Sequence, residues 1–313
     1  MIKNHNKSIL ILLSTYNGEK YLREQLESLS AQKKVNLHIL VRDDGSTDLT
    51  LQILQDFSVN FKQITILSET NVGCALSFKI LMNYAYTLMP SFDYYAFCDQ
   101  DDVWDEDKLF CAVDILENSK LNSLQLYTSS YRVVDEKLNF KYNQVFNYRH
   151  TLGEALMMIN TMGCTMVFTF ELMAEALRVY ENKMSLTKLK GMPNHDGWMY
   201  LTAISLNSYI HYDEVPHTNY RQHSKNVVGA FQASLINRFK RVFENKNIKS
   251  NISKILLETY NNADLYNRKL LFLNATYQTS LQKKIKLIFS KEMLTNSFTV
   301  NIAYRILLIL NKF

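Results

Sequence analysis

Short apolar runs alternate with segments of helical periodicity over the first 110 residues of the chain. Four runs have the length and continuous apolar character of strands that are buried on both faces of a parallel sheet: Ser8–Leu13, Leu37–Val41, Ile64–Leu67 and Tyr94–Cys98. Each is followed by apolar residues at three- and four-residue spacing, as in an amphipathic helix. This order predicts an α/β fold with a mostly parallel sheet and helices on both of its faces.

Further along the chain, the pattern predicts a helix from Thr47 to Phe57, with Ser46 or Thr47 as its N-cap. Two more strands and a short helix are expected beyond residue 110. These are Leu124–Tyr131, Met166–Phe170 and Leu152–Ile159.

Composition changes near residue 230, after which the chain is helical in pattern, rich in Lys and Arg, and poor in Gly and Pro. We therefore predict a larger domain over residues 1–230 and a helical extension over residues 231–313. In Lys283–Phe289 and Tyr304–Leu310, cations are mixed with bulky apolar side chains, as in helices that lie in a membrane interface. Three interpretations stay open: contact with an anionic membrane leaflet, packing against the larger domain, or contact with an obligate partner.

Cellular location is indicated by what the sequence pattern does not contain. The apolar run Ser8–Leu13 is too short to cross a bilayer, and no secretory leader is recognisable. Four cysteines without a C-x-x-C pair suggest buried apolar residues in a reducing compartment, not a disulfide framework or a zinc site. We expect a cytoplasmic protein, which membrane contact would place on the inner face of the cytoplasmic membrane. No nucleic-acid partner is expected, because the basic tail lacks an interleaved aromatic platform.

Polar clusters follow the first, second and fourth predicted strands, at Ser14–Gly18, Arg42–Asp48 and Asp99–Asp102. In open α/β sheets, ligands bind at the carboxyl ends of the strands, so these clusters should share one ligand-binding edge. No P-loop sequence and no G-x-G-x-x-G sequence follows the first strand. An aspartyl-phosphatase motif would need its nucleophile at the position of Arg42.

The cluster after the fourth strand is the strongest indication of chemistry. Its three carboxylates, Asp99, Asp101 and Asp102, repel one another unless a cation lies among them. Oxygen ligands suit Mg²⁺ or Mn²⁺. Val103 and Trp104 exclude a calcium loop of the EF-hand type. The alternative is an acidic helix N-terminus, in which one carboxylate caps free backbone N–H groups.

Four segments in this order and spacing closely resemble the family 2 inverting glycosyltransferases, which have the GT-A fold. They are LSTYNGEKYLREQLESLSAQ, VRDDGSTD, the turn Asn71–Gly73 and FCDQDDVWDEDKL. The variant DQDDVW, with the later HDGW and YRQHSKNVVG, is most similar to bacterial rhamnosyltransferases of surface polysaccharide synthesis. The resemblance implies nucleotide-sugar binding by residues 1–110 and an acceptor side over residues 111–230.

The resemblance also implies roles for single residues. Asp99, Asp101 and His223 would bind a Mn²⁺ or Mg²⁺ ion, and Arg221 would pair with the diphosphate. His217 is a weaker candidate for the position of His223. The remaining residues expected to bind the nucleotide sugar are Thr15, Tyr16, Asn17, Asp43, Asp44, Asn71 and Asp102.

Asp196, in the HDGW segment, corresponds to the general base of such enzymes. An inverting transfer needs one carboxylate that takes the proton of the attacking acceptor hydroxyl. The alternative for Asp196 is a helix N-cap, because residues 197–206 have a helical pattern. Trp198 and Trp104 are candidates for stacking on the acceptor sugar.

These residues lead us to expect an inverting, metal-dependent transferase that adds one sugar to a lipid-linked or growing surface glycan. The first choice of donor is dTDP-rhamnose, and the alternative is a UDP-hexose or UDP-N-acetylhexosamine. Processive synthases with a Q-x-x-R-W motif are excluded, since neither tryptophan is preceded by Arg. An inactive nucleotide-sugar-binding subunit is the alternative from another class.

Overall fold

The computed structural model describes residues 6–88, 91–119, 123–157, 162–181, 194–224 and 246–260, and ten further positions between 269 and 306. Its strands, in chain order, are β1 Lys7–Thr15, β2 Val35–Asp43, β3 Ile64–Ser68, β4 Tyr94–Cys98, β5 Val103–Trp104, β6 Gln125–Ser129, β7 Tyr131–Val134, β8 Phe140–Gln144, β9 Val167–Phe168, β10 Tyr209–Asp213 and β11 Thr218–Arg221. Its α-helices are α1 Leu22–Ser30, α2 Thr50–Asn60, α3 Cys74–Thr87, α4 Lys108–Asn118, α5 Leu152–Met157, α6 Phe170–Glu181, α7 His195–Ser205 and α8 Lys246–Thr259.

A seven-stranded sheet in the order β10-β6-β9-β4-β1-β2-β3 forms the centre of the fold. All of its pairings are parallel except those of β9, which runs antiparallel to β4 and β6. The middle of β1, from Ile9 to Leu13, is completely buried, as its continuous apolar run predicts. The mostly parallel α/β fold expected from the sequence is confirmed.

A second sheet consists of four strands in the order β5-β11-β7-β8. Strand β11 pairs with β5 in antiparallel and with β7 in parallel orientation. This sheet places the residues after the fourth strand next to those around Arg221, although more than a hundred positions separate them in sequence.

Three local predictions are wrong. The predicted strand Leu124–Tyr131 is two strands, β6 and β7, in different sheets, because the chain changes sheet at Ser130. The predicted strand Met166–Phe170 keeps only Val167 and Phe168, and α6 begins at Phe170. Helix α2 begins at Thr50 with Leu49 in the N-cap position, because Ser46 and Thr47 hydrogen-bond to Asp43 and Asn17.

Two compact units divide the chain. The first consists of Met1–Phe146, Met162–Leu177 and Tyr209–Ala230 and contains both sheets. The second consists of Asn147–Thr161, Arg178–Ser208 and Phe231–Phe313 and includes α5, α7 and α8. The division at residue 230 that the sequence suggests stays a prediction. Both basic apolar segments of the tail lie largely outside the described residues.

Among the described helices, none is both long and apolar enough to cross a membrane.

Candidate active site

The carboxyl ends of three adjacent strands, β4, β1 and β2, form the site in the first unit. The parallel register aligns Leu13 with Cys98 and Thr15 with Asp43, so the polar segments after these strands begin at the same edge. The structure therefore brings the three predicted clusters together, as the rule for ligand sites in parallel sheets requires.

Asp43 organises the end of β2. Its carboxylate accepts hydrogen bonds from the Thr15 hydroxyl at 3.0 Å, from the Ser46 hydroxyl at 2.5 Å and from the Ser46 backbone N–H at 3.0 Å. Thr15 and Asp43 are each 1% exposed. This network holds the Gly45 turn against β1, and it uses carboxylate oxygens that the sequence pattern assigns to the nucleotide.

Asp44 joins β2 to the turn at Asn71. Its two oxygens accept hydrogen bonds from the backbone N–H groups of Val72 and Gly73, both at 2.8 Å, and one also pairs with Arg42 at 2.5 Å. The Arg42 side chain is 1% exposed and also donates to the Thr70 carbonyl oxygen. A buried carboxylate that accepts from one guanidinium and two backbone N–H groups fixes the shape of the loop.

The loop after β1 is held by the amide of Gln100. Its Oε1 accepts from the Tyr16 backbone N–H at 2.8 Å, and its Nε2 donates to the Tyr16 carbonyl oxygen at 3.0 Å. Asn17, with a positive φ of 47°, accepts from the Thr47 backbone N–H at 2.9 Å. The Tyr16 ring is 48% exposed, which leaves it accessible to a ligand.

Asp101 and His223 meet at this edge. The Asp101 Oδ2 atom lies 2.8 Å from His223 Nε2, and the side chains are 16% and 9% exposed. Tyr21 packs against the imidazole with ring centroids 4.8 Å apart. The structure thus unites two of the three predicted metal ligands. The third, Asp99, follows β4 and is partly exposed.

Asp102 is completely buried behind this pair. Its Oδ1 accepts from the Arg221 backbone N–H at 3.2 Å, while its Oδ2 has no hydrogen bond from the described residues. Burial, together with the charge of Asp101, raises the pKa of Asp102 to about 7. Ligand atoms of Asp99, Asp102 and Cys164 lie within 4.8 Å of one another. A cation at this edge would favour the ionised carboxylate.

Lys108 is a buried cation that the sequence analysis missed. Its Nζ donates to the Cys164 carbonyl oxygen and lies 3.0 Å from the centroid of the Trp104 ring. Burial lowers the pKa of Lys108 to about 7, against the raising effect of surrounding groups that include Asp102. No pattern marks this lysine, since it lies in a helix where Lys is ordinarily a solvated residue.

Arg221 is 1% exposed, and its guanidinium contacts protein acceptors on several sides. It donates to the carbonyl oxygens of Asp101 at 2.9 Å and Glu136 at 2.6 Å, and to the Glu24 carboxylate. The guanidinium carbon also lies 4.6 Å from the centroid of the Tyr21 ring. These contacts fix the backbone at Asp101. The predicted diphosphate contact of Arg221 stays a prediction.

The remaining predicted residues are distributed between the units. Trp104, in the first unit, is 3% exposed, and Lys108 covers one face of its ring. Asp196 and Trp198 lie on α7 in the second unit. Asp196 is in the first turn and accepts from the Gly197 backbone N–H at 2.8 Å, whereas Asn194 occupies the N-cap position. Trp198 is 4% exposed. Their catalytic and acceptor roles stay predictions.

His217 contacts different carboxylates from the one that His223 contacts. Its Nδ1 is 3.3 Å from Asp107 Oδ1, and its Nε2 is 3.6 Å from Asp213 Oδ2. Asn226–Gly229, which the sequence places over the diphosphate, lies outside the described residues.

Comparison with known proteins identifies the fold and the family. The pattern of glycosyl transferase family 2 matches residues 10–174. The dTDP-rhamnosyl transferase RfbG of Shigella flexneri is 31% identical over 253 residues, which are 78% of this chain and 83% of RfbG. The glycosyltransferase GlyA of Streptococcus pneumoniae is 24% identical over 208 residues, but this chain spans only 26% of its length.

Solved structures agree with the fold. Crystal structures of S. aureus TarS superpose on 97% of this chain at 15–18% identity. One of them gives a TM-score of 0.56 over 52% of TarS, and the complex with UDP-GlcNAc gives 0.53 over 90% of its chain. This likeness identifies a GT-A fold. With the family pattern over more than half of its length and a relative of 31% identity along most of it, the chain belongs to glycosyl transferase family 2.

Proposed function

We propose that this glycosyltransferase is metal-dependent and inverting, and that it adds a single sugar to a lipid-linked or growing cell-surface glycan. The observation that carries the proposal is the Asp101–His223 contact of 2.8 Å beside Asp99, at the carboxyl end of β4. Carboxylate oxygens and one imidazole nitrogen are a donor set that Mn²⁺ or Mg²⁺ accepts.

The residues at this edge fit a divalent cation in two further respects. Asp102 has a buried oxygen without a hydrogen bond from the described residues, and three carboxylates lie within four positions. Such crowding is costly without a counter-charge. Asp99, Asp101 and His223 would hold the ion, which would supply charge stabilisation for the departing diphosphate.

The nucleotide sugar would bind along the edge formed by β1 and β2. We assign the exposed Tyr16 ring and the neighbouring Asn17 to direct contact with the nucleotide. Thr15, Asp43 and Asp44 would form the rest of this side of the nucleotide pocket. Asn71 would border it through the turn that Asp44 anchors. Arg221 would act on the donor through the Asp101 backbone that it positions.

Donor identity is inferred from similarity to RfbG, whose name describes a dTDP-rhamnosyl transferase. We propose dTDP-rhamnose first. A UDP-hexose or UDP-N-acetylhexosamine is the alternative, since the TarS structure of similar fold holds UDP-GlcNAc. The charges of the carboxylate edge suit any nucleoside diphosphate with its cation, so binding must decide between them.

Proton removal is assigned to Asp196. In the first turn of α7, the partial positive charge of the helix N-terminus stabilises an ionised carboxylate. The proton of the acceptor hydroxyl would pass to this carboxylate as the hydroxyl oxygen attacks the anomeric carbon. The presence of both this carboxylate and the Asp99–Asp102 cluster argues against an inactive binding subunit. Acceptor stacking by Trp198 and Trp104 is proposed as well, and it would require the acceptor to uncover these rings, since the residues are only 4% and 3% exposed. Contact of the tail with the cytoplasmic membrane face completes the proposal.

Calorimetry with a panel of sugar nucleotides tests the donor and the cation together. dTDP-rhamnose, UDP-glucose and UDP-GlcNAc are titrated into the full chain with Mn²⁺ and with chelator. We expect tight binding of one donor, and a loss of at least about tenfold on chelation and in Asp101→Ala, from the charge-assisted contacts removed. Asp56→Ala, an exposed carboxylate on α2, is the matched control and should bind normally.

Three outcomes contradict parts of the proposal. If the donor binds with equal affinity in the presence of chelator, the proposed cation is wrong. If no donor binds, the proposed nucleotide pocket is wrong. Asp196→Asn should keep donor affinity and lower turnover by about 10²- to 10⁴-fold, the range of general base catalysis. Unchanged turnover of that variant would reassign the base.

A further inference from the structure

A second group of metal-ligating side chains lies in the first unit and shares no residue with the proposed nucleotide site. Ligand atoms of Asp107, Cys111 and His217 all lie within 4.8 Å of one another. Asp107 Oδ1 is 3.3 Å from His217 Nδ1. The Cys111 backbone N–H donates to the Asp107 carbonyl oxygen at 2.9 Å, so these two residues lie one helical turn apart at the start of α4.

His217 faces a carboxylate on the other side of its ring. Its Nε2 is 3.6 Å from Asp213 Oδ2, which also accepts from the Tyr127 hydroxyl at 2.9 Å. The other oxygen of Asp213 accepts from the Val215 backbone N–H at 2.8 Å. Metal-binding histidines commonly use one ring nitrogen for the ion and the other for a carboxylate, which fixes the tautomer and the ring orientation.

The backbone around His217 is braced as well. Arg132 donates to the Pro216 carbonyl oxygen and to Asn219 Oδ1, both at 2.7 Å, and pairs with Asp105. The Asp105 backbone N–H donates to the His217 carbonyl oxygen at 3.0 Å. Because Arg132 ties residues on both sides of His217, the backbone that carries the imidazole is held in place.

The dimensions suit a tetrahedral ion. Ligand distances of about 2.0–2.3 Å place the donor atoms of a zinc site about 3.3–3.8 Å apart. The Asp107–His217 distance already falls there. The Asp107 side chain is 56% exposed and can rotate, whereas the His217 side chain is 9% exposed and fixed. One thiolate, one imidazole and one carboxylate form a set that prefers Zn²⁺ to Mg²⁺.

We propose that Asp107, Cys111 and His217 bind a divalent cation of the zinc class, with Asp213 as the orienting partner of His217. The Cys111 thiol and the imidazole release their protons to solvent on binding, and the exposed side of Asp107 leaves room for a water as the fourth ligand. The ion joins α4 to the segment before β11. Both segments continue directly into the nucleotide site, through Asp101 on one side and His223 on the other.

Cobalt titration tests this site independently of sugar transfer. Co²⁺ replaces Zn²⁺ in such sites, and its bond to a thiolate gives a near-ultraviolet charge-transfer band. The full chain, freed of metal with chelator, is titrated with Co²⁺ at neutral pH. We expect the band to saturate at one equivalent and to disappear when one equivalent of Zn²⁺ is added.

Variants separate the proposed ligands from other thiols. Cys74→Ser removes an exposed thiol and should keep the band, whereas Cys111→Ser should abolish it. His217→Gln and Asp213→Asn should weaken cobalt binding by about 10- to 100-fold. Asp101→Ala should keep the band, so a failure of the proposed nucleotide-metal site would not affect this result. Thermal unfolding in chelator shows that each variant is folded.

Either of two results overturns the proposal. A chain without a charge-transfer band at saturating Co²⁺ has no thiolate ligand, and the three side chains are then an ordinary His–Asp ion pair beside a thiol. A band that persists in Cys111→Ser assigns the cobalt to another thiol, either the exposed Cys74 or Cys164 beside Asp99 and Asp102.

Discussion

His195 begins α7 directly before Asp196, and its imidazole is buried with 5% exposure. Burial lowers the pKa of His195 from its ordinary value of 6.5 to about 3, because the charged ring would lose its hydration. Above pH 6.5 the ring is neutral in both the folded and the unfolded chain. Between pH 6.5 and about 3 only the unfolded chain binds the proton, so the folded state loses stability as the pH falls.

The size of this loss follows from linkage. Each pH unit below 6.5 costs about 1.4 kcal/mol until the folded pKa is reached, so at about pH 5 the loss is about 2 kcal/mol. His195→Leu replaces the imidazole with an apolar side chain and removes the titration. We therefore expect the variant's unfolding free energy to change between about pH 7 and pH 5 by about 2 kcal/mol less than that of the parent.

Urea unfolding followed by tryptophan fluorescence measures the effect close to the site. The chain has two tryptophans, and Trp198 lies one helical turn from His195. Trp104→Phe therefore leaves a single fluorophore that reports on α7, and it serves as the parent for both variants. Leu201→Ala on the same helix is the control, since it should cost about 2–5 kcal/mol equally at both pH values.

If His195→Leu and its parent lose the same free energy between the two pH values, within about 0.5 kcal/mol, the buried imidazole is not the source of acid sensitivity. If the prediction holds, acid destabilises the folded state that positions Asp196. Loss of transfer below neutral pH would then have a structural cause besides protonation of the base.

Three further changes test the organisation of the nucleotide edge. In Gly18→Ala the new Cβ would lie 2.3 Å from Gln100 Oε1 and displace the amide from its two hydrogen bonds with Tyr16. We expect thermal unfolding to show a loss of stability of about 1–3 kcal/mol, and an unchanged melting temperature would contradict this prediction. In Gly45→Ala a side chain at φ of +76° would approach the Asn71 backbone nitrogen to 3.0 Å. Urea unfolding should show a loss of stability of about 1–3 kcal/mol, and a stabilised variant would refute the predicted backbone strain. Arg221→Lys loses the guanidinium whose Nε donates to the Asp101 carbonyl oxygen and whose terminal nitrogens donate to Glu136 and Glu24. Calorimetry should show metal-dependent donor binding weakened by about tenfold or more, whereas equal affinity would show that these contacts are dispensable.

The edge of the sheet was predictable because two simple rules act together there. A short apolar run such as that of β1, bounded by turn residues, is typical of a strand buried on both faces, and parallel strands bring their carboxyl ends to one edge. Thr15, Asp43 and Asp101 therefore lie where the pattern places them. Alternation of strand and helix sufficed for this, since no long-range contact had to be known.

Other elements depend on contacts that sequence spacing does not contain. The continuous pattern from Leu124 to Tyr131 gives no sign that the chain leaves one sheet at Ser130 and enters another. Cys111 escapes a search for C-x-x-C pairs, because its proposed co-ligands are one helical turn before it and more than a hundred residues after it. In the sequence, Lys108 resembles a surface residue of a helix. In the structure, its ammonium contacts the Cys164 carbonyl oxygen and the Trp104 ring.

The acidic residues of the site show why composition alone cannot assign roles. The site contains two pairs of aspartates, Asp43 with Asp44 and Asp101 with Asp102. The oxygens of the first pair accept hydrogen bonds from backbone, hydroxyl and guanidinium donors. Asp102 keeps a buried oxygen without such a donor from the described residues, and burial raises its pKa to about 7. Because a buried ionised carboxylate with few hydrogen-bond donors is costly, a nearby cation would favour the ionised form of Asp102, whereas Asp43 and Asp44 are already stabilised by their donors. The proposed division between carboxylates that shape the loops and carboxylates that would interact with a cation thus follows from their hydrogen-bond donors.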